Sequence, residues 1–410
     1  MHYIRLLRPV SVETTNRREE VLSVLLTITT DLGDSFFGPD EPSPSAVLAY
    51  PADQKSPLQW RAGMRVLKAQ LRLREPLPRE KTTVCIFARG SDRSKTPSVR
   101  PYWRHGYEDE QAELVVSVSV DMANRTCAPV SLRTLPLPRQ ADDGDGASNE
   151  DEHSLELGED IGESIARHIW DAGLVTASFL GDSCRSAAVM ADILPVRRDR
   201  INILELGCGV GILGTTVAGI IQDAAAAQGQ SLLEAQVLLT DVDEAEERAR
   251  ANIARAEEVL EWRQTHVSEE GNGEEDESEE KPRPVRLEYE NLDWDDGRQG
   301  AFGPLVVARA WDFVVLSDCT YNVDSLPALV GTLSALHKHS HSFQDDDVAA
   351  DTRVILATKP RHASEEALFG LLGEQGWAHR VVKRVPLPRV GAEDEGVEVY
   401  VLERKESGQE

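Results

Sequence analysis

Ile201 to Gly214 reads INILELGCGVGILG. Its first half, Ile201 to Leu206, is an apolar run of strand length. Its second half places glycine at Gly207, Gly209, Gly211 and Gly214. Thr215 to Gln228 follows, rich in Ala, Val and Ile and without proline, and is predicted to continue as a helix. Strand, glycine loop and helix in that order make a bend where backbone can approach a ligand closely. A Cβ there would collide with the ligand or forbid the turn.

Downstream, strands alternate with helices. Ala235 to Val242 is a second strand carrying Asp241 at its end, and Glu244 to Trp262 reads as a charged helix. Val267 to Lys281 is an acidic low-complexity insertion, expected to be a disordered surface loop. Val285 to Leu292 is a third strand, followed by Trp294. Trp311 to Tyr321 is a fourth, running into the polar tip Ser317-Asp318-Cys319-Thr320-Tyr321. Ser325 to Ser340 reads as a helix; His337, His339 and His341 at its end do not converge at i, i+2 spacing and are taken as solvated, so no metal is expected. Thr352 to Lys359 is a fifth strand and Ser364 to Gln375 a helix. Ala378 to Pro386 and Val397 to Glu403 form a closing antiparallel hairpin at the sheet edge. The order predicts a seven-stranded, mostly parallel sheet with helices on both faces.

In such a sheet, ligands lie at the carboxyl ends of the strands, near the switch point. The glycine loop lets an aminoacyl or phosphate group lie on backbone. Asp241 can accept both ribose hydroxyls, or simply cap the next helix. Trp294 can cover a purine, or be a rim aromatic. Asp318 and Tyr321 put a carboxylate and a phenol beside the loop. Upstream, Ser164 to Leu180 holds Ile165, Ile169, Trp170, Leu174, Val175 and Phe179 at helical spacing, which by periodicity makes Trp170 a core residue.

Two motifs fit the loop. Gly209 to Gly214 matches G-x-G-x-x-G, a dinucleotide fingerprint. The ribose-binding acid should then lie about twenty residues on. Asp241 comes later than that, and no chain remains for a substrate domain. The wider E-x-G-x-G-x-G, Glu205 to Gly211, resembles motif I of class I methyltransferases. From about Gly162 to Glu403 the chain resembles the seven-β-strand lysine methyltransferases of methyltransferase family 16. The match comprises Trp170-Asp171-Ala172, the glycine motif, Asp241, Asn291 with Trp294, and Asp318 with Tyr321. Gly173, where alanine is commoner, and the acidic insertion depart from the pattern. The resemblance implies a Rossmann-like class I methyltransferase sheet with S-adenosylmethionine as cofactor. It implies that Trp170, Glu205, Gly207, Gly209, Gly211, Asp241, Trp294 and Ser317 bind that cofactor, while Asp318 and Tyr321 line a lysine channel. Length and the added amino-terminal region are similar to fungal members acting on translation elongation factor 2. A small-molecule acceptor on the same scaffold, a nicotinamide oxidoreductase and a non-catalytic binding module are the alternatives. An adenine or glutamine acceptor is disfavoured, because Asp318-Cys319-Thr320-Tyr321 has no paired prolines.

The resemblance leaves residues 1–140 uncovered. Val21 to Asp31 is apolar enough for a buried helix or strand, Thr82 to Ala88 and Leu114 to Val120 read as strands, and Glu41 to Ser56, with three prolines, as loop. An α+β or β-rich accessory unit is expected there, serving to dock substrate. Residues 141–160, acidic and Gly/Ser-rich around a surface His153, read as a linker, and 161–406 as the methyltransferase domain. The 44 Lys and Arg against 71 Asp and Glu give a formal charge of −27. That balance argues against wide nucleic-acid binding, which needs a basic face. No apolar run is long enough to span a membrane, and the amino terminus lacks the apolar block of a signal peptide. Five scattered cysteines without C-x-x-C suit a reducing compartment. A cytoplasmic or nuclear monomer with a protein substrate is therefore expected.

Overall fold

The computed structural model describes residues 1–15, 19–38, 46–50, 58–73, 82–89, 115–123, 125–136, 154–162, 165–183, 200–227, 234–269, 285–343, 352–387 and 395–404. Its contacts divide the chain into two compact units. One comprises Met1–Pro136, Glu156–His168 and Pro386–Glu395; the other comprises Leu137–Leu155, Ile169–Val385 and Gly396–Glu410.

The first unit is built on a twelve-stranded sheet. Among the described residues its regular elements are all strands, which corrects the α+β expectation towards the β-rich one. The apolar run near Val21 is the strand Glu20–Thr30, paired antiparallel with His2–Leu6 and Leu67–Arg72. Alternate residues Leu22, Val24, Leu26 and Ile28 are buried with Ile4 and Trp60. The Trp60 indole N–H donates to the Phe37 carbonyl at 2.8 Å, so the ring is buried without stranding its polar atom. Two loop expectations are corrected. Ala46–Tyr50, inside the proline-bearing stretch, is a strand paired with Thr82–Arg89. Ser154–Asp160, the end of the expected linker, is a strand paired with Val130–Pro136. It joins the sheet because Glu159 meets buried Arg133, whose Nε donates to it at 2.7 Å. The rest of that acidic stretch, His153 included, lies outside the described residues.

The second unit holds the seven-stranded sheet. We number its strands β1 (Arg200–Leu206), β2 (Glu234–Asp241), β3 (Val285–Asn291), β4 (Phe313–Ser317), β5 (Arg353–Thr358), β6 (Trp377–Pro386) and β7 (Gly396–Arg404). Their spatial order is β3-β2-β1-β4-β5-β7-β6. β1 to β5 pair in parallel, and β7 runs antiparallel to β5. The helices are α1 (Asp171–Ser183), α2 (Ile212–Ala227), α3 (Asp243–Glu269), α4 (Leu326–His341) and α5 (Ala367–Glu374). This is the expected Rossmann-like sheet. Its inner strands are apolar on both faces because helices cover both; Val314, Val315 and Leu316 of β4 are all 1% exposed or less. Chain order reverses between β1 and β4, which sets the ligand crevice over their carboxyl ends. β6 lies at the edge, exposed over most of its length, and carries His379, Arg380, Lys383 and Arg384.

Three further expectations change. The helix predicted from Ser164 begins only at Asp171, because Arg167 folds back: its carbonyl accepts from the Asp160 N–H and its guanidinium pairs with the Asp160 carboxylate. Ile165 is 59% exposed, so its helical spacing carried no packing. The insertion begins inside α3, which continues to Glu269; residues 270–281 lie outside the described set. His337 is buried rather than solvated, its ring edge-on to Trp377 at 5.6 Å. Among the described residues no helix is long and apolar enough to cross a membrane.

Candidate active site

Gly207, Gly209 and Gly211 all have left-handed φ, at 64°, 54° and 82°. Gly207 shows why the side chain must be absent. A Cβ on it would lie 2.7 Å from the Cys319 Sγ and 3.2 Å from the Trp294 ring. Backbone of the first strand's end is thus packed directly against residues that follow β3 and β4.

Carboxylates hold the loop in this shape. Asp241 at the end of β2 accepts the Gly209 N–H on Oδ2 and the Val242 N–H on Oδ1, both at 2.7 Å. Its side chain therefore braces the loop rather than capping α3. An ionised carboxylate has about two acceptor sites per oxygen, so one on each remains for a ligand hydroxyl. Burial raises its pKa, while the Gly209 and Val242 N–H groups pull it down. Glu205, 1% exposed, accepts the Gly214 N–H at 2.9 Å. Asn252 on α3, fully buried, donates to the Val210 carbonyl at 2.8 Å. Its amide is one of the few buried polar groups on that helix, and sequence reasoning passed it by.

Burial pushes the Glu205 carboxyl up to about 8; the Gly214 N–H opposes this and Asp241 adds to it. A carboxyl unfolded near ~4.3 and folded near that raised value stabilises the fold below the lower value, and this stabilisation is lost as pH rises through the upper one. Glu205→Gln is therefore expected to flatten the fall of Tm between pH 5 and 8, gaining roughly 5 °C on the parent at the alkaline end. Scanning calorimetry at several pH values checks it; parallel Tm profiles for the two proteins would refute it.

The second half of the site lies where β4 ends. Trp294 opens a short helical turn capped by Asp293, and its carbonyl accepts from Thr332 on α4 at 3.0 Å. Asn291, one residue of the same motif, faces away and donates to Glu246 at 2.8 Å. Ser317 Oγ lies 3.2 Å from where a Cβ on Gly173 would be, so α1 passes close over the end of β4. Asp318 is buried in a left-handed conformation, φ 53°, unusual for a residue with a side chain. Its carboxylate accepts the Ala172 N–H at 2.8 Å, the Arg361 Nη1 at 2.9 Å and the Lys359 N–H at 3.3 Å. Arg361 also lies over the Trp170 ring at 5.5 Å. Trp170 is a half-buried residue immediately before α1, not part of a helical core stripe. Beside it, Lys359 pairs with buried Asp171 at 2.9 Å. Tyr321 stands at the tip, 55% exposed.

The glycine loop, Asp241, Trp294 and the Ser317 to Tyr321 tip thus lie at the carboxyl ends of β1 to β4, and Cys319 ties the loop to the tip. Sequence reasoning missed Lys359, Arg361 and Glu365. Glu365 accepts Thr320 Oγ1 at 2.7 Å and the Arg361 and His362 N–H groups at 3.0 Å. The available signal was a lysine at the end of an apolar strand, followed after one proline by an arginine.

A glycine loop after β1, an acid ending β2 and an acid-phenol tip after β4 define a class I methyltransferase domain. The lysine methyltransferase family model matches residues 149–275 and 277–375, and the chain belongs to that family. It is 25% identical over 248 residues to a UPF0665 family protein of Schizosaccharomyces pombe, covering 60% of this chain and 55% of the relative. The match thus spans about half the length of that curated relative. Among solved structures, magnesium protoporphyrin IX methyltransferase of Synechocystis PCC 6803, with bound SAH, is 15% identical, covering 58% of this chain and 90% of that one, with a TM-score of 0.29. TYW2 of Pyrococcus horikoshii, in complex with MeSAdo, is 11% identical over 67% and 72% of the two chains, with a TM-score of 0.31.

S-adenosylmethionine is the cofactor of this family and fold, and the residues present fit it. The backbone cradle at Gly207 would be filled by any Cβ, Asp241 keeps acceptor capacity for ribose hydroxyls, and Trp294 offers a half-buried ring beside the loop.

Proposed function

We propose that this methyltransferase acts on a lysine side chain of a protein, and that Asp318 and Tyr321 serve the acceptor. The observation that supports this most is the packing of Cys319 against Gly207, which holds the Asp318 to Tyr321 tip beside the glycine loop. The cofactor-binding set is proposed as Trp170, Glu205, Gly207, Gly209, Gly211, Asp241, Trp294 and Ser317, with Glu205 acting through the loop it shapes.

S-adenosylmethionine supplies a methyl group already activated on a sulfonium. The protein's task is then alignment of a neutral amine. Free lysine has a pKa near ~10.4 and arrives charged. Asp318 accepts hydrogen bonds from the Ala172 and Lys359 N–H groups and from the Arg361 guanidinium, which fix its carboxylate at the tip. Asp318 is therefore an orienting group, and the proton leaves towards solvent on the exposed Tyr321 side. Burial raises the Tyr321 pKa, so the phenol stays neutral and its ring can face the developing cation.

The all-strand unit at the amino terminus is proposed to dock the substrate protein, and a translation elongation factor is the partner class favoured by the resemblance. A cytoplasmic setting is supported by the unbridged thiols of Cys85, Cys127, Cys208 and Cys319.

Incubation with labelled S-adenosylmethionine and methyl-deficient cell extract should label one protein on lysine. Label appearing only in small molecules would overturn the proposal. Because Tyr321 is exposed, Tyr321→Ala should leave Tm and cofactor affinity unaltered while lowering turnover by about tenfold or more. Unchanged turnover would remove Tyr321 from the acceptor site.

A further inference from the structure

Arg361 also lines a cleft of about 330 Å³. Thr320 and Arg361 form one wall, Phe369 and Tyr400 another, and Glu366 and Glu398 reach it from α5's approach and from β7. No residue of the cofactor set lines it. Its lining sets carboxylates and aromatic rings opposite the Arg361 guanidinium, which Asp318 already pairs. Phe369, His379 and Tyr400 pack as a ring cluster, with centroids 4.5 Å apart for Phe369 and His379 and 5.0 Å for Phe369 and Tyr400. Two of these aromatic residues, Phe369 and Tyr400, line the cleft, and aromatic rings attract a cation.

The carboxylates differ in what they can do. Glu365, also in the lining, is buried, and its oxygens accept from Thr320, Arg361 and His362. It is a brace. Glu366 is exposed. Glu398 accepts the Tyr400 phenol at 2.6 Å and meets Arg384 Nε at 3.4 Å. That arginine side chain is 69% exposed, so an incoming cation can replace it at little cost. Burial, with the Glu398 carboxylate, pushes the Tyr400 phenol up, so it donates to Glu398 rather than ionising.

Position completes the argument. Arg361 is shared: its guanidinium binds Asp318, and the residue also lines the cleft. Asp318 and the cleft thus share Arg361, and Thr320 of the tip also lines the cleft. We propose that the cleft takes the cationic side chain, arginine or lysine, of a residue flanking the target lysine in the substrate protein. The proposal deepens the protein-lysine reading and rests on it. The acid-and-ring lining selects a basic flank and, through Glu366 and Glu398, rejects an acidic one.

The test uses the full chain and two readouts. N-acetyl-arginine methylamide, titrated by NMR or calorimetry, should bind in the millimolar range, with N-acetyl-alanine methylamide as a silent control. Glu366→Gln with Glu398→Gln should abolish that binding and leave S-adenosylmethionine affinity intact. With the extract protein as substrate, the same variant should raise KM by about tenfold at unchanged kcat. Absence of arginine-probe binding, equal binding by the variant, or an unchanged KM would each overturn the cleft assignment while lysine labelling still stands. Loss of lysine labelling in the parent protein would instead sink the functional reading, and the cleft assignment with it. Phe369→Leu, which keeps apolar volume but removes the ring face, should weaken the probe while Tm is retained; full binding by that variant would also overturn the assignment.

Discussion

Gly207→Ala is expected to cut S-adenosylmethionine affinity by about 10- to 100-fold, with methyl transfer falling in step. Two effects add. A left-handed φ of 64° disfavours a residue with a Cβ by about 1–2 kcal/mol, where 1.4 kcal/mol is tenfold. The new methyl would also sit 2.7 Å from the Cys319 sulfur, which is buried and cannot swing into solvent. The loop must therefore move away from the end of β4, and the cradle moves with it. Calorimetric titration of the cofactor measures the loss. A double variant, Gly207→Ala with Cys319→Ala, should recover part of it, because the sulfur is the nearest obstruction. Wild-type affinity in the single variant would mean the loop does not carry the cofactor.

The second large effect is on stability. Lys359→Met removes a buried cationic partner of Asp171, a carboxylate with 0% exposure at the head of α1. Breaking a buried ion pair from one side costs about 3–5 kcal/mol, because the other charge stays buried. For a unit of this size that corresponds to a Tm lower by about 10 °C. Lys359→Met with Asp171→Leu should restore much of it, since neither charge then remains. Thermal unfolding of the parent, single and double variants decides the matter; a single variant within 2 °C of the parent would show that the pair contributes little. Cofactor affinity should fall in the single variant as well, because α1 carries Ala172 and Gly173 over Ser317 and Asp318.

The glycine loop, Asp241 and the order of strands were legible because each is written in consecutive residues. Periodicity identifies a buried strand, and positive φ asks for glycine in the same few positions. What was not legible joins distant parts of the chain. Lys359 and Asp171 are 188 residues apart, and Arg361 and Asp318 are 43 apart. A sequence shows charges but not which of them share a dry pocket. Asp318 illustrates the consequence: the sequence shows an acid beside a tyrosine, but not that N–H groups of Ala172 and Lys359 and the Arg361 guanidinium converge on its oxygens. Trp170 was misplaced for another reason. Ile165 gave its stretch a helical period, but Asp160 captures Arg167 and the helix starts late. His337 and its neighbours were judged by spacing along their own helix, while Trp377 from β6 decides the burial of one of them.

The outermost strand, β6, has a last consequence. Arg380, Lys383 and Arg384 stud a ribbon that, among the described residues, has no strand partner on its outer side. Another polypeptide could in principle zip onto such a margin and start a stack. Two identical molecules trying this would bring guanidinium and ammonium groups face to face, and like charges opposite one another oppose strand pairing. The margin thus protects the molecule against polymerising with itself, even though its net charge is strongly negative and the protective groups are positive.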